Sequence, residues 1–170
     1  MNKGKKVPQV AIVMGSDSDL ATMRKCMDQL EAFGIAYEVR IISAHRTPDV
    51  AHEFSCSAQK RGLKVIIAAA GMSAALAGVL AGKTTLPVIG VPMSSGPLMG
   101  VDAALSTMQM PPGVPVACVS IGQAGAVNAA ILAGQILALG DRALAGRLEQ
   151  FKKDQADLIM QKDAKVRASR

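Results

Sequence analysis

The sequence predicts an α/β domain: a central parallel sheet of about five strands between two layers of helices. Three observations predict it. The apolar runs are short and mostly near-continuous in Val, Ile and Ala, as in strands covered on both faces. They alternate with stretches of helical length, and in one sheet that alternation demands crossovers and parallel strands. Half of the 170 residues are hydrophobic, enough for one core of this kind.

The first strand is expected at 9–14. It stops at Gly15-Ser16-Asp17-Ser18-Asp19, a turn that opens a helix over 18–33. The second strand, 37–42, leads into Ser43-Ala44-His45-Arg46. Thr47 before Pro48 then marks a helix start over 48–61, a hydroxyl N-cap followed by a residue with no N–H to leave unpaired. The third strand, 64–69, runs through Gly71 and Met72 to a helix over 73–81, whose free N–H groups are expected to offer a seat for a carboxylate or CO2. The fourth, 87–91, precedes a polar loop with Ser94, Ser95 and Gly96 that can close over a ligand, then a helix over 101–109. The fifth, 116–120, precedes a helix over 124–139 built from small residues such as Ala126, Ala129, Ala130 and Ala133. A charged, amphipathic helix over 141–163 closes the chain.

No linker or shift in composition interrupts 7–140. One catalytic domain is therefore expected over 7–165, with a basic tail at 1–6 and a C-terminal tail at 166–170. Small residues let backbones approach closely. With no Trp and few bulky side chains, a lone chain gains limited burial, so assembly into a homo-oligomer is expected.

The formal net charge of +6 looks like a nucleic-acid footprint until it is located. Residues 1–6 hold three lysines, and residues 150–170 hold six basic against three acidic side chains. The body between them balances ten against ten. A neutral body with basic ends argues against nucleic-acid binding, and aromatic residues at 2% argue against stacking bases on rings. No apolar run has the roughly 18 residues that cross a bilayer. The N-terminus runs into a strand pattern and does not read as a cleavable signal. Three cysteines without metal-ligand spacing read as reduced thiols in a cytoplasmic protein.

In an open parallel sheet a ligand sits beyond the carboxyl ends of the strands. Most of the polar residues that a strand-and-helix skeleton does not need lie there. Gly15 permits close approach of a ligand to the backbone. Ser16 and Ser18 offer hydroxyls beside free helix N–H groups, a seat for phosphate, and Asp19 can accept from ribose hydroxyls. The same residues can serve as helix caps; that role is expected of Ser18, while Ser16 and Asp19 stand open between the two. Arg46 supplies a bidentate grip for phosphate. His45 is the one acid–base group titrating near neutrality on this edge, whereas His52 falls one turn into a helix and reads as a surface residue.

Three decoys fall away. The segment from Gly78 to Thr84 resembles a nucleotide P-loop, yet the first glycine would fall at Ala77 and the segment leads from a helix into a strand, the reverse of what that loop requires. A phospho-receiver domain needs an Asp where the third strand ends in alanines. A flavin-binding module wants aromatic cover that this chain lacks.

The segments Val13-Met14-Gly15-Ser16-Asp17-Ser18-Asp19, Ser43-Ala44-His45-Arg46-Thr47-Pro48, 83–92 and 109–115 together resemble the family of 5-(carboxyamino)imidazole ribonucleotide mutase, the catalytic subunit of bacterial phosphoribosylaminoimidazole carboxylase in purine synthesis. The resemblance spans about residues 8–160. It implies a flavodoxin-like three-layer sandwich, a homo-octamer with shared sites, and no metal or organic cofactor. It implies that Ser16, Asp19 and Arg46 bind a ribonucleotide, with Ser43, Ser18 and Gly71 beside them, and that His45 is the acid–base group. The partners implied are that small-molecule substrate and CO2, with neither nucleic acid nor membrane, and a functional link to an ATP-dependent synthase that makes the carboxyamino compound.

One segment departs from the family. The mutase branch usually reads Gly-Gly-Ala-Ala-His-Leu-Pro-Gly after the third strand. Here Gly71-Met72-Ser73-Ala74-Ala75-Leu76-Ala77-Gly78 replaces the His by Ala75 and the Pro by Ala77. Ser73 leans toward the branch that carboxylates aminoimidazole ribonucleotide directly with CO2, while 83–92 and 109–115 lean toward the mutase. The resemblance therefore implies the mutase first and the direct carboxylase as its alternative. A related synthase acting on a pyridinium nucleotide, or a non-catalytic nucleotide-binding module, are more remote; the latter would have no need of His45.

Overall fold

The computed structural model describes residues 7–169. Five parallel strands, β1 (Val10–Met14), β2 (Tyr37–Ile41), β3 (Val65–Gly71), β4 (Val88–Met93) and β5 (Ala117–Cys118), lie in the order β2-β1-β3-β4-β5. That is the doubly wound order of flavodoxin-like folds. The chain starts in the middle, steps outward to β2, then crosses back over β1 to build the other half. β1 and β3 are therefore neighbours whose following connections leave toward opposite faces, and their carboxyl ends open a crevice. Residue pairs Met14–Ala69 and Ala69–Val91 set the register at that end.

Helices α1 (Leu20–Ala32) and α5 (Gly122–Ala138) cover one face. Val10, Ile12, Met14, Val65 and Ile67 meet Met23, Leu30, Ala126, Ala129, Ala130 and Ala133 there, all fully or almost fully buried. The other face carries α2 (Pro48–Ala58), α3 (Leu76–Ala81) and α4 (Val101–Met108), with Ala11, Val13, Ile66 and Ala68 packed against Phe54, Leu76, Ala77 and Leu80. The period of two thus feeds both layers from the same strands. Small residues set the spacing: a Cβ on Gly90 of β4 would overlap the Thr107 methyl of α4, and one on Gly125 of α5 would overlap the Ser120 carbonyl. Burial pushes the Cys26 thiol up to about 12, so it is an unreactive part of the core.

Several boundaries differ from the sequence reading, each for a physical reason. β2 is an edge strand with Val39, Arg40 and Ile41 exposed, not a strand covered on both faces. Its Glu38 carboxylate is held by the Arg61 Nη1 at 2.7 and 2.8 Å, which ties the edge to the turn after α2. β5 pairs over two residues only and not over 116–120, since the chain runs beside β4 only near its start, at Ile89 and Gly90. α3 begins at Leu76 and not at 73. Met72 takes a left-handed backbone (φ 57°) and Ala75 N donates to Ser73 O at 2.8 Å, so 72–75 is a tight turn and the head of the helix, with its free N–H groups, lies at Leu76 instead of 73. Gly82 closes α3 before the chain enters β4, the context that disqualified a P-loop.

The last helix, α6 (Arg142–Ala168), continues past the expected 163 and takes in 166–168 of the expected tail. Asp141 caps it by accepting from Leu144 N at 3.0 Å. Leu144 is buried, Phe151 meets Phe33 edge-on with centroids 5.3 Å apart, and Arg147 Nε donates to the Phe33 carbonyl at 2.9 Å. Beyond Phe151 every residue through 169 is exposed. The basic N-terminal tail at 1–6 lies outside the described residues. No helix among the described residues is long and apolar enough to cross a membrane.

Gly125→Ala tests the close approach of α5 to the loop after β5. The methyl meets backbone that cannot rotate away, so a loss of about 1–3 kcal/mol is expected in urea unfolding midpoints, with an unchanged denaturant slope.

Candidate active site

The crevice at the carboxyl ends of β1 and β3 holds a cavity of about 530 Å³, the size that takes a small organic ligand. Ser16, Ser18, Asp19, Ser43, His45, Arg46 and Gly71 all line it. Every site residue expected from the sequence is therefore brought to one place, although the positions span 56 residues of chain from Ser16 to Gly71.

The β1 turn is a short 3₁₀ segment, Asp17–Asp19, leading into α1. Its cap is Ser16 and not Ser18: the Ser16 Oγ accepts from the Ser18 N–H at 3.3 Å and from the Ser18 hydroxyl at 3.0 Å. The reason is reach, because an N-cap oxygen meets N–H groups two or three residues ahead, and that places the acceptor at 16 once the helical turn starts at 17. Asp19 is buried and makes no side-chain cap bond to α1. Burial raises its carboxyl above the ordinary 3.8, against the lowering by hydrogen bonds from the Ser16 backbone and the Ser18 side chain.

The loop after β2 is closed by its own threonine. Thr47 was expected to cap α2 with its hydroxyl, yet its Oγ1 turns back, accepting from Ser43 N at 3.0 Å and donating to Ser43 O at 3.0 Å. The Thr47 N–H donates to the same carbonyl at 2.9 Å. Pro48 leaves one helix donor fewer to satisfy, which frees the hydroxyl for the loop. Ala44, His45 and Arg46 ride at the tip of this pinned ring.

Arg46 is held before any ligand arrives. Its Nη2 donates to the Gly15 carbonyl at 3.0 Å, and both its Nε (3.3 Å) and its backbone N–H (3.1 Å) donate to Ser43 Oγ. Ser43 therefore orients the cation, a use that spacing could not show. The guanidinium bridges the loops after β1 and β2, and its Nη1 has no hydrogen-bond partner among the described residues. His45, exposed at the cavity wall, stands one residue away. His52 is exposed on α2 beside Cys56, outside this cavity, as its helical position indicated.

The far wall comes from β3 and β4. Ala70, Gly71, Ala75 and Leu76 give it a small, mostly apolar lining, with Met72 and Ser73 at the mouth. Ser95 joins from the loop after β4, the loop marked in the sequence as able to cover a ligand. The cavity thus has a cationic, hydroxyl-rich side at β1 and β2 and a smooth side at β3 and β4. A phosphorylated ligand with a flat, weakly polar head fits that division.

The family model for AIR carboxylase matches residues 9–157. The chain belongs to the AIR carboxylase family. Curated relatives include the N5-carboxyaminoimidazole ribonucleotide mutases of Haemophilus influenzae, 50% identical over 91% of this chain and 94% of that one, and of Bacillus subtilis, 51% identical over 91% and 95%. The solved structure of Treponema denticola PurE superposes with a TM-score of 0.83 at 34% identity, over 94% of this chain and 98% of that one. Membership covers the whole body that carries the cavity, and the flavodoxin-like architecture is shared with that solved relative.

Asp19 provides a test of site electrostatics. A carboxyl whose folded value is raised favours the fold below 3.8, and that advantage is lost as pH rises through the raised value. Asp19→Asn abolishes the dependence. The variant is expected to gain stability relative to the parent between about pH 3 and pH 7, read from urea midpoints at the two values.

Proposed function

We propose that this protein is the mutase of the family: it moves the carboxylate of 5-(carboxyamino)imidazole ribonucleotide from the exocyclic nitrogen to carbon 4 of the ring, in de novo purine synthesis in the cytoplasm. The observation that carries the reading is the convergence of His45, Arg46, Ser16 and Asp19 on one cavity at the β1–β3 crevice. Relatives about half identical over nine-tenths of the chain, named as this mutase, support the isomerase over direct carboxylation.

In this reading Arg46 and the Ser16–Ser18 turn take the phosphate, Asp19 accepts from the ribose hydroxyls, and Ser43 keeps the guanidinium aimed. The imidazole ring then lies toward β3, beside Gly71 and within reach of His45. Imidazolium at His45 gives its proton to the carbamate nitrogen as the N–C bond breaks, releasing CO2 and leaving the free amine. Carbon 4, electron-rich through that amine, attacks the CO2, and neutral His45 takes the proton that carbon 4 sheds. The proton balance closes on one residue, since an imidazole can both donate and accept a proton. Water exclusion matters because CO2 that escapes ends the cycle. An ATP-dependent synthase is the expected source of the carboxyamino compound.

The chain is proposed to work as a homo-octamer with sites shared between subunits. On α4 and the loop before it, Leu98, Met99, Val101, Leu105 and Met108 are each at least half exposed. An apolar stripe of that extent asks for cover, and light scattering is expected to return eight times the 17.6 kDa chain mass.

His45→Asn keeps the shape and removes the titrating nitrogen. Turnover is expected to fall by about 10²–10⁴-fold with substrate affinity within a few-fold of normal, measured by single-turnover conversion and by calorimetric titration. Arg46→Lys loses the forked geometry and is expected to raise KM about tenfold or more with a smaller change in kcat. Offering the protein either the carboxyamino substrate or aminoimidazole ribonucleotide with modest bicarbonate, both without ATP, decides the reaction. Efficient use of the first alone is the expected result; efficient use of the second would make it the direct carboxylase.

A further inference from the structure

We infer that the Ser95 hydroxyl holds the migrating carboxyl group while it is detached, and that Gly71 is glycine so that this hydroxyl can reach it. The inference rests on the proposed mutase reading and names a group that the acid–base scheme leaves unassigned: the donor that keeps CO2 beside carbon 4.

The cavity hydroxyls divide by their commitments. Ser16 and Ser18 bond to one another, and Ser16 also donates to Asp17, all within the β1 turn. Ser43 Oγ accepts twice from Arg46. These belong to the cationic side, where an anionic tail is drawn. The reacting end of the substrate then faces the β3 and β4 wall, where Ala70, Gly71, Ala75 and Leu76 offer no side-chain donor. Two hydroxyls remain on that side. Ser73 is exposed at the mouth, whereas Ser95 is half-buried in the lining and its hydroxyl bonds to no protein group among the described residues.

The position of Ser95 is built. Its N–H donates to the Met93 carbonyl at 3.0 Å, which folds the loop sharply back as it leaves β4. Gly96, with φ of 74°, continues that bend. The hydroxyl ends in the space where a side chain at position 71 would begin: a Cβ on Gly71 would overlap Ser95 Oγ, while Ser95 Cβ stands 3.1 Å off. Gly71 itself has no left-handed backbone, so nothing in its conformation demands glycine. The demand comes from across the gap.

A hydroxyl there can donate to a carboxylate oxygen of the bound carbamate, to CO2 after the N–C bond breaks, and to the new carboxylate on carbon 4. A bond to a charged acceptor in a shielded site is worth enough to change partition by about tenfold. Without it, the substrate still takes its proton on nitrogen and still releases CO2, but more of the CO2 diffuses away, leaving aminoimidazole ribonucleotide.

The test follows the carboxyl carbon. Carboxyamino substrate labelled with ¹³C in that carboxyl is turned over in unlabelled bicarbonate, and mass spectrometry reads label kept in the product against label lost, with an enzyme-free control subtracted. The parent protein is expected to keep most of the label. Ser95→Ala should raise the ratio of lost to kept label about tenfold, with KM changed much less. Gly71→Ala swings the hydroxyl off by rotation and should give the same ratio, and the double variant should be no worse than either. Label retention at the parent level in Ser95→Ala overturns the inference, as does additive loss in the double variant. If the parent itself fails to convert the carboxyamino substrate, the mutase reading falls and takes this inference with it; conversion by the parent with unchanged retention in Ser95→Ala sinks the inference alone.

Discussion

The site depends on one guanidinium. Arg46 spans from the Gly15 carbonyl at the end of β1 to the Ser43 hydroxyl at the end of β2, and its own backbone N–H returns to the same hydroxyl. Two of these donors fix the side chain within its own loop, and the third, Nη2, ties that loop to the one after β1. A positive charge already oriented at the mouth of a crevice loses little entropy when an anion arrives, which is the advantage of preorganisation. Thr47 makes this possible by closing the loop on Ser43 from below.

The sheet order explains why these loops meet the third wall. With β1 between β2 and β3, the turns after all three strands open on the same edge. The parallel core behind them is made of Val, Ile and Ala packed into both faces, and it holds the strand ends in register. Rigid strands carrying short polar loops let a site be precise without long ordered excursions of chain. Charge follows the same division: the body is neutral, and the cation that matters is placed singly at the crevice.

Glycines and alanines recur wherever two elements come close, and their reasons differ. Gly90 makes room for α4, Gly125 for the loop after β5, and Gly71 for a serine of the neighbouring loop. The first two are matters of packing. The third lies inside the cavity, where the same close approach sets the shape of the wall at β3 and β4. Ala75 and Ala70 keep that wall shallow, so its chemistry is left to the backbone and to Ser95.

Much of this was written in the chain itself. Runs of buried aliphatic residues broken at Gly15, Ser43, Gly71 and Ser94 marked strands and the edge where they end, because covering a strand on both faces leaves a local signature of composition. The polar residues gathered after those breaks named the cavity, since a parallel sheet always presents its carboxyl ends together. Local hydrogen-bond competition and distant contacts were decided only in three dimensions. Thr47 serves the loop instead of α2, Ser16 instead of Ser18 caps the first turn, and Met72 bends the chain so that α3 starts late. The meeting of Gly71 with Ser95, twenty-four residues apart, has no sequence signal at all. Spacing reports which residues share an edge; which of two equally able hydroxyls takes a partner depends on distances of tenths of an ångström that only the packed sheet sets.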